Sequence, residues 1–544
     1  MTSSEIQKKT RSFNIYKNKE FQANPLARTP NDNSIAISSH TTKDTIVSVS
    51  NSEYYIYLPD GTLLGYSELD SFVINAGLTP HTTSGLTNMG DPKIVWDNNH
   101  QRFVMSFLSF GYRNLTSFPN KSKLYVAISI TSNPLDGWYI NEINDSDYLP
   151  VNKWIDRPEL ALSNDEIIIT AQTSFDEADT AEGVIIFGLE KSNAYSGLPT
   201  IVYDIQNIKW NGVSIAPLFP VRGSQANYGP GLYFTQVPEA STGNLDTLRL
   251  FDLTNDLSNS GTLNAYAVKI DDYSRASFPK QPNQKLIGNN NNRITDAIYT
   301  QGSKNYIQGV FTCKAPNSTA YSQIDIFNLN VSTLAVNERH LYFTNKDIFY
   351  PSISNFAKNG SSTHDVIVSY LKTDSINTYA SYCAIGIDTN LLNGSELNIK
   401  LGSQNKSNLR WGDYTGLCRK HDASIPTVWA IGSYCAVDSV DSVWIAEITN
   451  LKPNAIEEQT KKQEIFTIFP NPTSRFINLQ SNLDLSNANI NFLSMDGKVI
   501  QSYTTKRLNK NVILRMDIQN IPTGNYIITI KNNDYANAQK ITIY

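Results

Sequence analysis

Acidic, arginine and tyrosine residues precede several apolar segments of this chain, at the points where β-strands would begin. If successive strands start around a shared axis, these side chains converge into one polar cluster. The residues of this predicted cluster are Asp91, Asp156, Arg157, Glu159, Asp296, Tyr350, Arg410, Trp411, Asp413 and Tyr414.

Three kinds of chemistry would suit these residue types. Converging carboxylates could bind Ca²⁺, a hard cation that prefers oxygen ligands, and no other cofactor is required. Arg157, Arg293 and Arg410 could hold a carboxylate ligand, because a guanidinium pairs with it through two parallel hydrogen bonds. A carboxylate with a second carboxylate or a tyrosine could hydrolyse a glycosidic bond. In a fourth interpretation the acids only cap backbone N–H groups at the strand starts, and the arginines neutralise them.

Other catalytic signatures are missing from the sequence. It contains no GxSxG, HExxH, phosphate-binding loop or DxDxDG motif, and its six histidines are scattered. None of the four cysteines forms a CxxC pair, so a structural zinc site is not expected. They are either buried free thiols or two disulfides, whose pairing the spacing leaves open. These residues are Cys313, Cys383, Cys418 and Cys435.

The elements that position the cluster have the pattern of antiparallel strands. Short runs rich in Val, Ile, Tyr and Phe alternate with clusters of Asn, Ser, Gly and Asp. An acid or a proline opens successive strand–turn–strand units, and an earlier unit, beginning near DTIVSVSN, precedes them. Together they number about seven. The pattern predicts an all-β fold with a β-propeller of about seven blades. The opening residues are Asp91, Asp156, Pro217, Asp296, Pro351 and Asp413.

Charge and hydropathy exclude two classes of function. The 45 basic and 50 acidic residues give a net charge of −5, so no basic surface for nucleic acid is expected. No apolar run is long enough for a transmembrane helix. The first residues, MTSSEIQKKTRSF, lack the apolar segment of a signal peptide, so the first step of any export is not visible.

A change in composition near residue 455 predicts two domains. The charged segment NLKPNAIEEQTKKQE has no apolar alternation and is typical of a linker. The alternating strands after it predict a small Ig-like antiparallel β-sandwich. The predicted organisation is an N-terminal extension at 1–34, a propeller at 35–450, a linker at 451–464 and the sandwich at 465–544.

The C-terminal segment resembles the sorting domain of the type IX secretion system. The match runs through FPNP, a DGKV turn, a PTGNY strand start and a KITI terminal strand. The resemblance implies a Bacteroidota protein that is secreted or held at the outer-membrane surface. Its implied partners are the type IX machinery and surface lipopolysaccharide. The residues that carry the match are Pro470, Asn471, Pro472, Gly497, Gly524, Tyr526 and Lys540.

The large segment is similar to a widespread group of secreted bacterial propeller proteins. The most specific element of this similarity is RWGDYTG at 410–416. No single activity goes with that group, so the similarity implies architecture rather than function. We expect an exported binding protein for a glycan or protein ligand, and the sequence does not commit it to catalysis. The alternatives are a sialidase-like glycoside hydrolase, whose usual SxDxGxxW repeats are missing from this sequence, and a structural or adhesive surface protein without a small-molecule site.

Overall fold

The chain forms two compact units, residues 1–452 and 453–544, in a computed structural model. Each unit is described by itself. The described residues are all except 1–12, 26–29, 40–42, 84–85, 112–120, 151–152, 176–180, 240–243, 290–291, 303, 315–320, 359–360, 362, 408, 437–440, 453–465, 495–497 and 533–535.

The larger unit is a β-propeller of seven four- or five-stranded sheets. The innermost strand of each sheet contacts the innermost strands of its two neighbours, and the last contacts the first, so the ring is closed. The predicted propeller of about seven blades is therefore confirmed. Closure leaves only short sheet edges exposed, as radial repetition of antiparallel sheets requires.

The first four blades follow one another along the chain, each numbered from its inner to its outer strand. Blade 1 consists of Asn33–Ile37, Ile46–Ser50, Glu53–Tyr57 and Leu63–Glu68. Blade 2 consists of Met89–Asp97, Arg102–Gly111, Lys121–Ser129 and Trp138–Asn144. Blade 3 consists of Lys153–Leu162, Glu166–Phe175, Ala181–Glu190 and Val202–Ile205. Blade 4 consists of Phe219–Pro220, Leu232–Gln236, Leu245–Leu253 and Leu263–Tyr273.

The last three blades include two departures from simple succession. Blade 5 has an additional inner strand that runs parallel to its neighbour, and its strands are Arg222–Gly223, Ile294–Thr300, Tyr306–Lys314, Ser322–Asn330 and Val336–Leu341. Blade 6 consists of Asp347–Asn355, Val366–Thr373, Ser381–Ile387 and Leu397–Lys400. Blade 7 takes its outermost strand from the N-terminal segment and consists of Gly416–Arg419, Thr427–Cys435, Asp441–Thr449 and Tyr16–Ala23.

Short elements connect the blades. Two two-stranded hairpins pair Thr82–Thr83 with Leu86–Thr87 and Lys209–Trp210 with Val213–Ser214. The α-helices span Leu69–Asn75 and Lys191–Ala194, and the 3₁₀ turns span Pro134–Asp136, Asp145–Asp147 and Leu257–Asn259. Within the described chain, none of these helices has the length and hydropathy to cross a bilayer.

Apolar side chains between neighbouring blades form the core. Every residue of the inner strand Asp347–Asn355 is buried, because a blade packs against a neighbour on each face. Trp429 of blade 7 packs with Ile35 of blade 1, which closes the ring with the same apolar contact. Long apolar runs in these strands, such as IIIT at 167–170, therefore reflect burial on both faces.

The predicted N-terminal extension at 1–34 does not match the structure. Its segment Tyr16–Ala23 pairs antiparallel with Asp441–Thr449 and completes blade 7. The inner strand of blade 1 also begins at Asn33, one strand earlier than the unit expected near DTIVSVSN. The physical reason is that a ring needs a partner for its last open edge, and here the N-terminal strand supplies it.

The smaller unit is the predicted antiparallel sandwich. One sheet contains Phe466–Phe469, Phe476–Ser481 and Ile513–Asp517. The other contains Val499–Leu508, Leu485–Ser494, Gly524–Lys531 and Ala536–Ile543. A continuous core that includes Phe466, Ile490 and Ile528 lies between them. Most of the predicted linker at 451–464 lies outside the described residues.

All four cysteines are free thiols in this structure, which is the first of the two interpretations left open by their spacing. Cys418 is partly buried and the other three are fully buried. Burial raises the pKa of Cys418 and of Cys383 to about 12. A thiol with so high a pKa is a poor nucleophile at neutral pH.

Candidate functional site

Three inner strands of the propeller carry a β-bulge immediately before a proline. The strand register shifts at each of these places, in blades 2, 3 and 6. Because proline has no N–H, it cannot complete the ladder there. A bulge turns the side chain of the extra residue in a new direction. The bulged residues are Asp91, Arg157 and Tyr350, which have positive φ angles of 54°, 50° and 52°.

Carboxylates from four blades meet at one end of these strands in an aspartate cluster, defined as Asp32, Asp91, Asp156 and Asp413. One oxygen each of Asp32, Asp91 and Asp413 lies within 4.8 Å of the others. The Asp413 N–H donates to Asp32 Oδ1 at 2.7 Å. The Arg157 N–H donates to Asp156 Oδ1 at 2.9 Å and to Asp91 Oδ2 at 3.3 Å.

Two arginines contact the cluster through Asp413. Arg410 Nη1 lies 2.5 Å from Asp413 Oδ1, and Arg157 Nη2 lies 3.5 Å from Asp413 Oδ2. Gly412 allows this segment to approach the chain before blade 1, because a Cβ there would lie 2.3 Å from the Asn31 carbonyl oxygen. A larger residue at the first glycine of the RWGDYTG motif would therefore clash with this chain segment.

The cluster divides its acids into two electrostatic types. Burial would raise the pKa of Asp413, but the guanidiniums of Arg157 and Arg410 outweigh it and hold that pKa below its usual value. Burial, reinforced by Asp413, raises the pKa of Asp32 to about 7. Burial and the neighbouring Asp156 raise the pKa of Asp91 well above its usual value. Asp413 is thus ionised and paired with arginine.

Glu159 and Asp296 of the predicted cluster pair with lysine and arginine elsewhere in the channel. Glu159 Oε2 lies 2.8 Å from Lys93 Nζ, and Asp296 Oδ1 lies 2.5 Å from Arg222 Nη2. Asp296 Oδ2 also accepts hydrogen bonds from the Ser352 hydroxyl and the Ile353 N–H. Both acids therefore neutralise cations inside the propeller.

A cavity beside the aspartate cluster is lined by arginines, and we call it the arginine pocket. Its volume is about 350 Å³, and its lining includes Arg157, Arg275, Arg293, Arg410, Tyr350 and Trp411. Its described lining contains no Asp or Glu. The predicted convergence of Arg157, Arg293 and Arg410 on one place is therefore present.

Arg293 has unused hydrogen-bonding capacity in this pocket. Its Nη2 donates to Glu239 Oε1 at 2.9 Å. Its Nε and Nη1 are enclosed and have no hydrogen-bond partner among the residues that the structure describes. Arg275, which follows the outer strand of blade 4, is exposed. Four guanidinium groups therefore line this one cavity.

The aromatic residues of the predicted cluster are largely buried. Trp411 and Tyr350 have 2% of their surface exposed. Burial raises the pKa of both Tyr350 and Tyr414 well above the ordinary value, so both stay protonated. Tyr414 donates to the Pro92 carbonyl at 3.0 Å, and Lys93 Nζ lies 3.2 Å from the centre of its ring. Their main contribution is packing around the charged groups.

Sequence reasoning missed four participants in these sites. Asp32 comes just before the inner strand of blade 1. The segment NDN at 31–33 contains no proline or glycine that would have marked Asp32 as a site residue. Lys93 and Arg222 lie within inner strands, and Arg275 lies in a connection that has no periodic pattern. The acid before strand NSIAI was the one available signal.

One motif residue of the smaller unit, Asn471, is hydrogen-bonded to the last strand. Asn471 Nδ2 donates to the Lys540 carbonyl at 2.8 Å, and Asn471 Oδ1 accepts the Thr542 N–H at 3.0 Å. Pro470 and Pro472 flank this asparagine in the sequence. Tyr526 follows Gly524 in the adjacent strand, and its hydroxyl donates to the Pro522 carbonyl at 2.7 Å. Gly497 lies outside the described residues.

A family profile described as "Secretion system C-terminal sorting domain" matches residues 467–544. The C-terminal unit is a type IX secretion sorting domain. Its presence indicates export to the cell surface or the extracellular space and an interaction with the type IX machinery. The profile covers this unit and does not extend to the propeller.

Solved structures of sialidases and neuraminidases are similar to this chain at a low level. A Trypanosoma rangeli sialidase in complex with 2,3-difluorosialic acid has 10% identity and a TM-score of 0.38, with 93% of this chain and 89% of that chain covered. The parainfluenza virus 5 hemagglutinin-neuraminidase ectodomain has 11% identity and a TM-score of 0.36, with coverages of 67% and 82%. No curated protein sequence matches this chain. Similarity at this level says nothing about activity.

Proposed function

We propose that this chain is an exported β-propeller that binds a carboxylate-bearing glycan or protein in the arginine pocket and catalyses no reaction there. The observation that carries the proposal is the convergence of four arginines, one in blade 3 and three in the connections between blades, on one cavity whose described lining contains no acid. The cavity volume of about 350 Å³ lies within the range of ligand sites.

The unused donors of Arg293 favour a carboxylate as the bound group. A planar guanidinium offers parallel N–H groups that match the two oxygens of a carboxylate. The pairing of Arg293 with Glu239 shows that its guanidinium already engages this chemistry inside the protein. Several arginines on low-dielectric walls also attract an anion before it makes contact.

The state of the nearby acids favours binding over glycoside hydrolysis. Hydrolysis needs a carboxyl pair, or a tyrosine with a carboxyl group, free to reach the sugar. Asp413 is held by both Arg157 and Arg410, and the raised pKa of Tyr350 disfavours a nucleophilic phenolate. These contacts support the binding interpretation over the sialidase-like alternative.

The place of binding follows from the sorting domain. An exported chain would meet its ligand outside the cell, either after release or while attached to surface lipopolysaccharide of a Bacteroidota cell. No nucleic acid is expected as a partner, since the net charge of −5 gives no general attraction to phosphate backbones.

A binding array tests this proposal. The full chain is applied to neutral, carboxylated and sulfated glycans and to peptides with and without acidic residues. We expect retention by carboxylated members and at least a tenfold loss of affinity for Arg293→Gln, since a charged hydrogen bond contributes about 1.5–3 kcal/mol. Arg507→Gln, an exposed arginine of the sorting domain, is the matched control. Equal binding of neutral and carboxylated members, or no effect of Arg293→Gln, would contradict the proposal.

A further inference from the structure

The aspartate cluster contains more acidic groups than its protein partners could neutralise if all of them were ionised. Its four carboxylates face two guanidiniums, those of Arg157 and Arg410. Two other cations of the inner strands, Lys93 and Arg222, are already paired with Glu159 and Asp296. Two negative charges therefore remain when all four acids are ionised. Buried charges in proteins are normally paired or bound to a metal.

The spacing of three of these carboxylates suits one calcium ion. Oxygens of Asp32, Asp91 and Asp413 all lie within 4.8 Å of one another. Ca²⁺ binds oxygen at about 2.3–2.6 Å, so ligands on opposite sides of one ion lie about 4.6–5.2 Å apart. The three oxygens can therefore share one ion without movement of the backbone.

Asp32 gives an independent indication of a missing partner. Its side chain is fully buried, and its Oδ1 accepts the Asp413 N–H. Its Oδ2 is also enclosed, and no donor in the described part of the chain reaches it. A buried carboxylate oxygen without a donor is costly, and a cation in the cluster would remove that cost.

We propose that Asp32, Asp91 and Asp413 bind one Ca²⁺ ion. Asp32 precedes blade 1, Asp91 lies in blade 2, and Asp413 precedes blade 7. The ion joins the blades on both sides of the seam where the two ends of the propeller meet. It stabilises ring closure and does not require a ligand in the arginine pocket.

Calcium titration of the full chain after chelator treatment tests the site. We expect one Ca²⁺ per chain by calorimetry, a melting temperature that rises with Ca²⁺, and terbium luminescence that Ca²⁺ displaces. Asp91→Asn should weaken binding at least tenfold. The same variant should melt no lower than the wild type in chelator, because it removes repulsion between carboxylates. The wild type alone should then gain stability when Ca²⁺ is added.

The controls separate this site from general acidity and from the proposed ligand. Asp246→Asn, at an exposed acid of blade 4, should bind Ca²⁺ as the wild type does. Arg293→Gln should also keep Ca²⁺ binding, whatever it does to carboxylated ligands. The proposal is overturned if millimolar Ca²⁺ produces neither heat nor a melting shift, if Mg²⁺ binds as well as Ca²⁺, or if Asp91→Asn binds normally. Asp32→Asn repeats the test at the second acid.

Discussion

At the residue scale, a buried ion pair joins blades 2 and 3. Lys191 Nζ lies 2.7 Å from Asp97 Oδ2, and both side chains are almost completely buried. Asp97 also accepts hydrogen bonds from the Tyr195 hydroxyl and the Asn227 amide. The Asp97 carboxylate is thus the centre of a network whose charge one lysine balances.

Removal of that lysine should destabilise the propeller strongly. Lys191→Met leaves Asp97 buried and uncompensated, and we expect a loss of about 3–5 kcal/mol. Chemical denaturation followed by tryptophan fluorescence measures it. Lys269→Met, at a lysine that is 84% exposed, should change stability by less than about 0.5 kcal/mol. A similar effect of both substitutions would show that burial does not govern this pair.

The strand-start residues show how far residue-level prediction could go. Asp91, Arg157 and Tyr350 could be placed near one another because a proline follows each and marks its bulge. Asp32 has no such mark, and its carboxylate joins the others only when the ring closes. The split between acids that pair with arginine and acids that do not depends on three-dimensional neighbours, which sequence spacing does not specify.

At the element scale, a histidine connects blades 4 and 5. His340 Nδ1 lies 2.6 Å from Asp325 Oδ1 within blade 5, and its Nε2 lies 3.0 Å from Asp271 Oδ2 of blade 4. The hydrogen bond with Asp325 raises the pKa of His340 to about 9. Burial raises the pKa of the neighbouring Glu338 to about 7 and that of Cys313 well above its usual value.

This contact should make stability depend on pH in a defined window. A histidine whose pKa is raised in the folded state contributes fully below its unfolded pKa of about 6.5. That contribution is lost as pH rises through about 9. Ionisation of Glu338 acts in the same direction, from about 4.5 to 7. We expect the melting temperature to fall between pH 6.5 and 9 and to fall less in His340→Gln. Identical pH profiles of the two proteins would refute the assignment.

The β-strands could be predicted from the sequence where the strand–turn–strand units recur regularly. Strand–turn–strand units with apolar runs gave about seven sheets, and seven are present. The closing strand Tyr16–Ala23 was not predictable, because its partner Asp441–Thr449 lies more than 400 positions away and its own pattern is largely exposed. The pairing of distant chain ends is fixed by ring geometry and leaves no local signal.

At the scale of the whole molecule, the N-terminal strand should control the stability of the ring. A chain that lacks residues 1–24 exposes the edge of Asp441–Thr449, and we expect its melting temperature to be lower. A synthetic peptide of residues 13–24 should restore part of the loss by pairing with that edge, whereas a scrambled peptide should not. A truncated chain as stable as the full one would contradict the role of this strand.

The sorting domain should control export of the whole chain. Secretion of the full chain is compared with that of a chain ending at residue 463, in a bacterium with a type IX system and in a mutant that lacks it. We expect the full chain outside the cell only in the strain with a type IX system. The shortened chain should be secreted by neither strain. Equal secretion of the two chains would contradict the assignment of residues 467–544.

The central claim is that the arginine pocket recognises a carboxylate. The most direct measurement is a calorimetric titration of the full chain with an acidic glycan retained on the array and with the same glycan after reduction of its carboxyl group to an alcohol. We predict that the acid binds, that the reduced form binds at least tenfold more weakly, and that Arg293→Gln removes the difference. Equal affinity for the two forms in the wild type would contradict the claim.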